Sequence, residues 1–188
     1  IGYELQQSLG NDFRRMGLDR QAVTVVTQVE VARDDPAFGR QSKPIGTFMD
    51  EARAMQRRDG EGWDVVEDAG RGWRRVVASP RPLRIVEERA VKALLADGFV
   101  VITVGGGGIP VVADETGSLH GVAAVIDKDY ASSLLGTVVG AEVFAITTAV
   151  ERVALDWGKP SQTWVDRLTV AEARAYLAEA PGWEELDA

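Results

Sequence analysis

The stretch "VITVGGGGIPVV", residues 101–112, decides the fold. The run leading into it, Phe99–Val104, is apolar on both faces, as expected of a strand in the middle of a covered parallel sheet. Four glycines follow, Gly105, Gly106, Gly107 and Gly108, at the carboxyl end of that strand. Open α/β folds put their ligands at such strand ends. One glycine there could be a bulge or a tight turn; four in a row imply a backbone that something approaches closely. The common nucleotide fingerprints do not fit. A G-x-G-x-x-G reading from Gly105 meets Pro110, and one from Gly106 meets Val111. A P-loop needs Gly-Lys-[Ser/Thr], and the one Gly-Lys pair, Gly158-Lys159, is followed by Pro160.

Outward from this stretch the pattern alternates. On the amino-terminal side, apolar positions predict a helix from about Leu83 to Asp97, ended by Gly98. Further back, Ala22–Val31 alternates and is β-branched, so it predicts a strand. Leu5, Leu9, Phe13 and Met16 give a helix that stops near Gly17. On the carboxyl-terminal side, Gly121–Ile126 predicts a short strand, Asp127–Val139 a helix and Glu142–Thr147 another strand. Thr169-Val-Ala-Glu172 is a capping box that opens the last helix. Helix alternating with strand implies an α/β layered domain with a largely parallel sheet. Residues 32–80 interrupt the alternation. They read as a turn-rich loop, a helix with Ile45, Phe48, Ala52 and Met55 on one face, and a hairpin around Gly70–Gly72, so a small lobe on the main sheet is expected.

The composition is that of an ordinary globular protein, with 45% hydrophobic and 27% charged residues over 188 positions. No apolar run approaches the roughly 20 residues that cross a bilayer. The start has no signal-peptide pattern and there is no cysteine, so a reducing cytoplasm is expected. The formal net charge of −8 argues against a general nucleic-acid binder. Against that background Arg71–Arg84 holds five arginines and no carboxylate. Such a run is either a solvated basic edge offset by acids elsewhere or a local anion site.

Two further clusters bear on anions. In "AVIDKDYASSLL", residues 124–135, Asp127, Lys128 and Asp129 sit where a strand meets a helix. A helix start favours anions through its backbone N–H groups, and a lysine there adds a full charge. In "SKPIG", residues 42–46, Lys43 lies in a Pro-Gly turn of the small lobe and could swing over the main site. His120 reads as a surface residue. The tryptophans at 63, 73, 157, 164 and 183 read mostly as packing.

Taken together, "VTQVEVARDDPAF", "SKPIG", "EDAGRGWRRVVASPRPLRIVE", "GGGGIPVV", "AVIDKDYAS" and "TTAVERVALDWGKP" resemble the carbamate kinases of the amino-acid kinase superfamily. The likeness runs from Gly2 to about Tyr176. It departs mildly at Ala78-Ser79-Pro80, where the family has Pro-Ser-Pro, and at Ser42, where it usually has Thr. The resemblance implies a three-layer αβα sandwich with a mainly parallel sheet and a protruding subdomain at residues 32–80, typically as a homodimer. It implies reversible phosphoryl transfer between ATP and carbamate with Mg²⁺, usually run from carbamoyl phosphate and ADP toward ATP.

By motif, Lys43 would reach the transferred group, Lys128 would contact nucleotide phosphate and Asp129 would hold the catalytic lysines. Gly105–Gly108, with Arg71, would border the small substrate. Asp127, Thr148, Ala149, Val150 and Lys159 would lie near the nucleotide, and Trp157 could line its base. No protein metal site is expected.

Two family segments have no counterpart in these residues: a first strand with its Gly-rich loops, and a carboxyl-terminal Gly-Ser-Met-x-Pro-Lys segment. The 188 residues alone are therefore expected to be inactive. Alternatives are a related kinase for another small acid, and a non-catalytic binding or assembly module that kept the scaffold.

Overall fold

A computed structural model describes residues 1–68 and 70–179. These fall into two compact units, Ile1–Phe144 and a second that begins at Ala145. In the first unit, helix α1 (Gly2–Arg15) leads to strands β1 (Ala22–Thr24) and β2 (Gln28–Val31). A 3₁₀ turn (Pro36–Gly39), strand β3 (Lys43–Met49), helix α2 (Glu51–Glu61) and strands β4 (Val65–Glu67), β5 (Trp73–Val77) and β6 (Pro82–Ile85) follow. Helix α3 (Glu88–Ala96), strands β7 (Val100–Ile102), β8 (Ile109–Ala113) and β9 (Leu119–Gly121), and helix α4 (Lys128–Val139) complete it. The second unit holds the hairpin β10 (Val153–Leu155) and β11 (Thr163–Val165), then helix α5 (Val170–Glu179). The chain is thus α/β, as the alternation of elements required.

The expected strand Ala22–Val31 is interrupted at Val25–Thr27, and its neighbour is interrupted beside it. Strand β1 pairs in parallel with β7, Ala22 facing Val100; β2 pairs in parallel with β8, Gln28 facing Ile109. Both ladders join the same two stretches of chain. Between them one stretch passes through residues 25–27 and the other through 103–108, three residues against six. The glycine loop is therefore a three-residue excursion from a parallel ladder, a large bulge that bends one strand away from its neighbour. The Val25 N–H donates to the Ile102 carbonyl (2.9 Å), and the Ile109 N–H donates to the Thr27 carbonyl (2.8 Å). These bonds bracket the excursion.

Antiparallel strands flank the β2–β8 pair, giving the order β6-β2-β8-β9. Val29, Val31, Ile85, Val91, Val104, Val112, Ile126, Ala131 and Leu135 form one buried cluster. It joins this sheet to α3 and α4 by burying apolar surface, the main favourable term in folding. A separate three-stranded sheet, β3-β5-β4, carries α2.

Four local expectations are corrected. Ile45 and Phe48 lie on β3, not on the following helix, because Asp50 caps that helix by accepting the Arg53 N–H (2.8 Å). The helix expected from Leu83 begins at Glu88. Pro82–Ile85 is instead an antiparallel edge to β2, with Ile85 fully buried. Val122–Ile126 forms no ladder, since its amides turn to different partners, Val122 to Pro110 and Val125 to Ala78. Residues 142–147 pair with no strand among the described residues, and Val143 is exposed. Trp183 lies outside the described residues. The capping box at Thr169 and Glu172 is present, with hydrogen bonds of 2.8 and 3.2 Å between each side chain and the other residue's N–H.

Candidate functional site

Strand register brings Lys43 to the start of α4. Lys43 is the first residue of β3 and faces Val77 on β5. The next residue, Ala78, accepts the Val125 N–H through its carbonyl (3.0 Å). Asp127 is two residues further on, and its Oδ2 receives the Lys43 Nζ in an ion pair. The two side chains are 31% and 27% exposed, so water and salt screen the pair less than a surface bridge. Asp127 Oδ1 also caps α4, accepting the N–H groups of Asp129 (2.9 Å) and Tyr130 (3.4 Å). Burial pushes the Asp127 carboxyl up. The Lys43 ammonium and the two capping amides outweigh that and hold it below the ordinary carboxylate value.

Lys128 is the first residue of α4, and its ammonium lies 3.2 Å from Asp129 Oδ2. Two lysine–carboxylate pairs, Lys43–Asp127 and Lys128–Asp129, thus lie at one helix end. The carboxylate that holds Lys43 is Asp127, whereas Asp129 holds Lys128. Tyr130, one residue on, carries the Arg81 guanidinium over its ring at 4.8 Å. Arg81 is a third cation at this helix start. It was hidden in the arginine run, and only the fold reveals which of the five faces this way.

The glycine loop packs beside the same helix start. A Cβ on Gly107 would collide with the Ile126 carbonyl, reaching 2.9 Å from its carbon, and one on Gly108 would collide with the Val29 side chain. Both glycines have positive φ, 127° and 84°. The protein's own backbone and core are therefore what approach this half of the run. Gly105 and Gly106 differ, since a Cβ on either meets nothing within 4 Å. Those two present bare backbone to open space beside the residue that precedes Asp127.

Thr27 anchors the loop. Its hydroxyl donates to the Val25 carbonyl (3.0 Å), accepts the Val104 N–H (3.0 Å) and lies 2.6 Å from the Thr103 hydroxyl. With the Thr103 hydroxyl as donor, Thr27 uses its full capacity of one donated and two accepted bonds. Val104, β-branched and at φ 51°, is held in a conformation that such residues rarely adopt.

The other expected site residues belong to other elements. Arg71 sits in the turn between β4 and β5, past the Met49–Trp73 end of the small sheet, whereas Lys43 is at the opposite end. It pairs with Asp68 (2.8 Å) and stacks on Phe48. Lys159 belongs to the second unit, where its ammonium meets Asp156 Oδ1 (2.8 Å) and lowers that carboxyl below its ordinary value. Thr148, Ala149 and Val150 precede β10 in that unit and are exposed. Trp157 meets Trp164 edge to face at 5.7 Å. His120, on β9, is exposed and bonds Asp114 (2.7 Å). Among the described residues no group of three carboxylates or histidines could hold a metal ion, and no helix is long and apolar enough to cross a membrane. A hollow of about 680 Å³ between α1 and the amino ends of β1 and β7 is at the other end of the parallel ladder from the glycines.

The amino acid kinase family model matches residues 22–184. A carbamate kinase-like protein of Escherichia coli, YahI, is 51% identical over 180 residues, covering 95% of this chain and 57% of that protein. Carbamate kinase from Giardia lamblia bound to citric acid superposes with a TM-score of 0.87 at 36% identity, over 96% of this chain and 56% of its own. The same enzyme bound to AMP-PNP gives 0.80 at 37% identity, over 96% and 57%. The chain therefore spans a little over half the length of these relatives. With the family model matched over residues 22–184 and solved relatives superposing over nearly all of it, the chain belongs to the amino acid kinase family.

Proposed function

We propose that the protein is a phosphotransferase of the carbamate kinase type, moving a phosphoryl group reversibly between ATP and carbamate. The observation that carries this reading is that Lys43 and Lys128 each pair with a carboxylate at the start of α4, where the glycine run packs and leaves Gly105 and Gly106 bare. Phosphoryl transfer asks little covalent chemistry of a protein. It asks for positive charge and fixed donors around oxygens whose charge redistributes as the group moves. ATP and carbamate are both anions and repel until cations and N–H groups compensate. Carbamate already carries a nucleophilic oxygen, so no general base is required.

In this reading Lys43 exchanges Asp127 for the phosphoryl oxygens, Lys128 faces nucleotide phosphate, and the open glycines admit the small substrate. Lys159, Thr148, Ala149 and Val150 remain candidates for the nucleotide side. The AMP-PNP complex of the Giardia relative supports a nucleotide as one substrate. The described donor set forms no cage for Mg²⁺, which in this reading is carried by the nucleotide's own phosphates.

The test is ATP formation from carbamoyl phosphate and ADP by the full gene product carrying these residues. Lys43→Met should lower kcat/KM by about 10²–10³-fold, the usual cost of removing one preorganised charge-stabilising donor. Acetylglutamate, aspartate and glutamate, offered with ATP, should not replace carbamate. Transfer to one of those acids alone would reassign the substrate. Failure to bind ATP at all would leave a non-catalytic module, and an unchanged rate in Lys43→Met would end the proposed role of that lysine.

A further inference from the structure

The five arginines of residues 71–84 divide cleanly by partner. Arg71 and Arg74 share Asp68, and Arg84 pairs with Glu30 at 2.6 Å. Arg81 lies on Tyr130. Arg75 alone turns to the α2 side of the small sheet. There a hollow of about 220 Å³ is lined by Arg53, Arg57 and Arg75 together with Trp63 and the β3 residues Ile45–Thr47 and Met49. The guanidinium groups of Arg57 and Arg75 both stack on the Trp63 ring, at 5.2 and 4.7 Å from its centre. Stacking holds a guanidinium plane while leaving its N–H edge free to donate. Arg57 is compensated by Glu61 one turn along α2. Neither Arg53 nor Arg75 makes an ion pair among the described residues, so the hollow keeps an excess of two positive charges in a protein of net charge −8.

We infer that this hollow is a second anion site, distinct from the α4 helix start, and that it takes the phosphate group of a small molecule. Three arginines, two from α2 and one from β5, match a tetrahedral dianion, which accepts several charge-assisted hydrogen bonds at once. Near neutral pH a phosphate group carries close to two negative charges, which balances the excess. About 220 Å³ is below the usual range of roughly 300–1,000 Å³ for drug-sized ligands and suits a phosphate or a short phosphomonoester. This inference stands independently of the proposed reaction.

The arginine Nε–H and tryptophan indole signals in ¹H–¹⁵N spectra of the full protein test it, titrated at constant ionic strength with inorganic phosphate, methyl phosphate or acetate. Both phosphates should shift the Arg53, Arg75 and Trp63 signals saturably, and acetate should not. The tighter of the two identifies a free ion or an ester as the natural ligand. The shifts should persist in a Lys43→Met/Lys128→Met variant, which removes the cations of the other site. They should weaken about tenfold or more in Arg53→Gln and in Arg75→Gln, the loss of one charge-assisted contact. Linear shifts shared by all exposed arginines, or saturation lost with Lys43 and Lys128, would overturn the inference. Because the wild-type titration is read signal by signal, it decides even if Arg75→Gln does not fold.

Discussion

Thr27 holds more of this site than its sequence context discloses. In "TVVTQVEV" it is one β-branched residue among several, and alternation assigns it to an unbroken strand. In the structure it is almost wholly buried, and its hydroxyl closes the gap opened by the glycine excursion. Thr27→Val keeps the shape, removes the hydroxyl and leaves the buried Val104 N–H without a partner. That should cost about 1–3 kcal/mol in urea unfolding; a loss below about 0.5 kcal/mol would mean that water or another acceptor serves Val104 equally well. Lys43 and Asp127 were legible as charged residues near turns. Their pairing was not, because it depends on the strand register 34 positions after Lys43, where Val77 faces it.

At the scale of elements the glycine run separates into two halves with different duties. Gly107 and Gly108 are packed by the protein, whereas Gly105 and Gly106 are open. Gly107→Ala forces a Cβ into the Ile126 peptide at positive φ and should destabilise by about 2 kcal/mol or more, moving the start of α4 with it. Gly106→Ala meets open space and should leave the melting temperature nearly unchanged while weakening any ligand that approaches the backbone there. Equal destabilisation of the two variants by thermal melting would contradict this division.

Elements whose signals are local were readable, such as α4 from its cap and apolar face, and the capping box of α5. Pro82–Ile85 was not. Its apolar spacing continues smoothly into α3, and only a distant partner, β2, makes it a strand. Residues 142–147 show the converse, an apolar β-branched run without a ladder among the described residues.

Over the whole molecule, acid should act through several carboxylates rather than one. Asp127 is held low despite burial. The half-buried Asp114 is held far below its ordinary value, chiefly by the Thr116 hydroxyl and then by His120, and Asp68 and Glu172 are lowered by their hydrogen-bond partners. A folded-state pKa below the unfolded one stabilises fully above the unfolded value and is lost as pH falls through the folded one. Stability should therefore be flat from neutrality down to about pH 5 and decline below about pH 4. Asp127→Asn should decline less steeply than wild type when unfolding midpoints are compared over that interval. Parallel curves would show that the Lys43 pair adds nothing to the acid response.

The small sheet contains one irregularity, between Ile45 and Met49 in the ladder to β5. It falls beyond the regular stretch that aligns Lys43 with Val77. A one-residue slip in that regular stretch would turn the lysine to the opposite side of its sheet. The irregular stretch works as slack in the tether: changes in chain length past Gly46 can be absorbed there, and the ammonium keeps its aim.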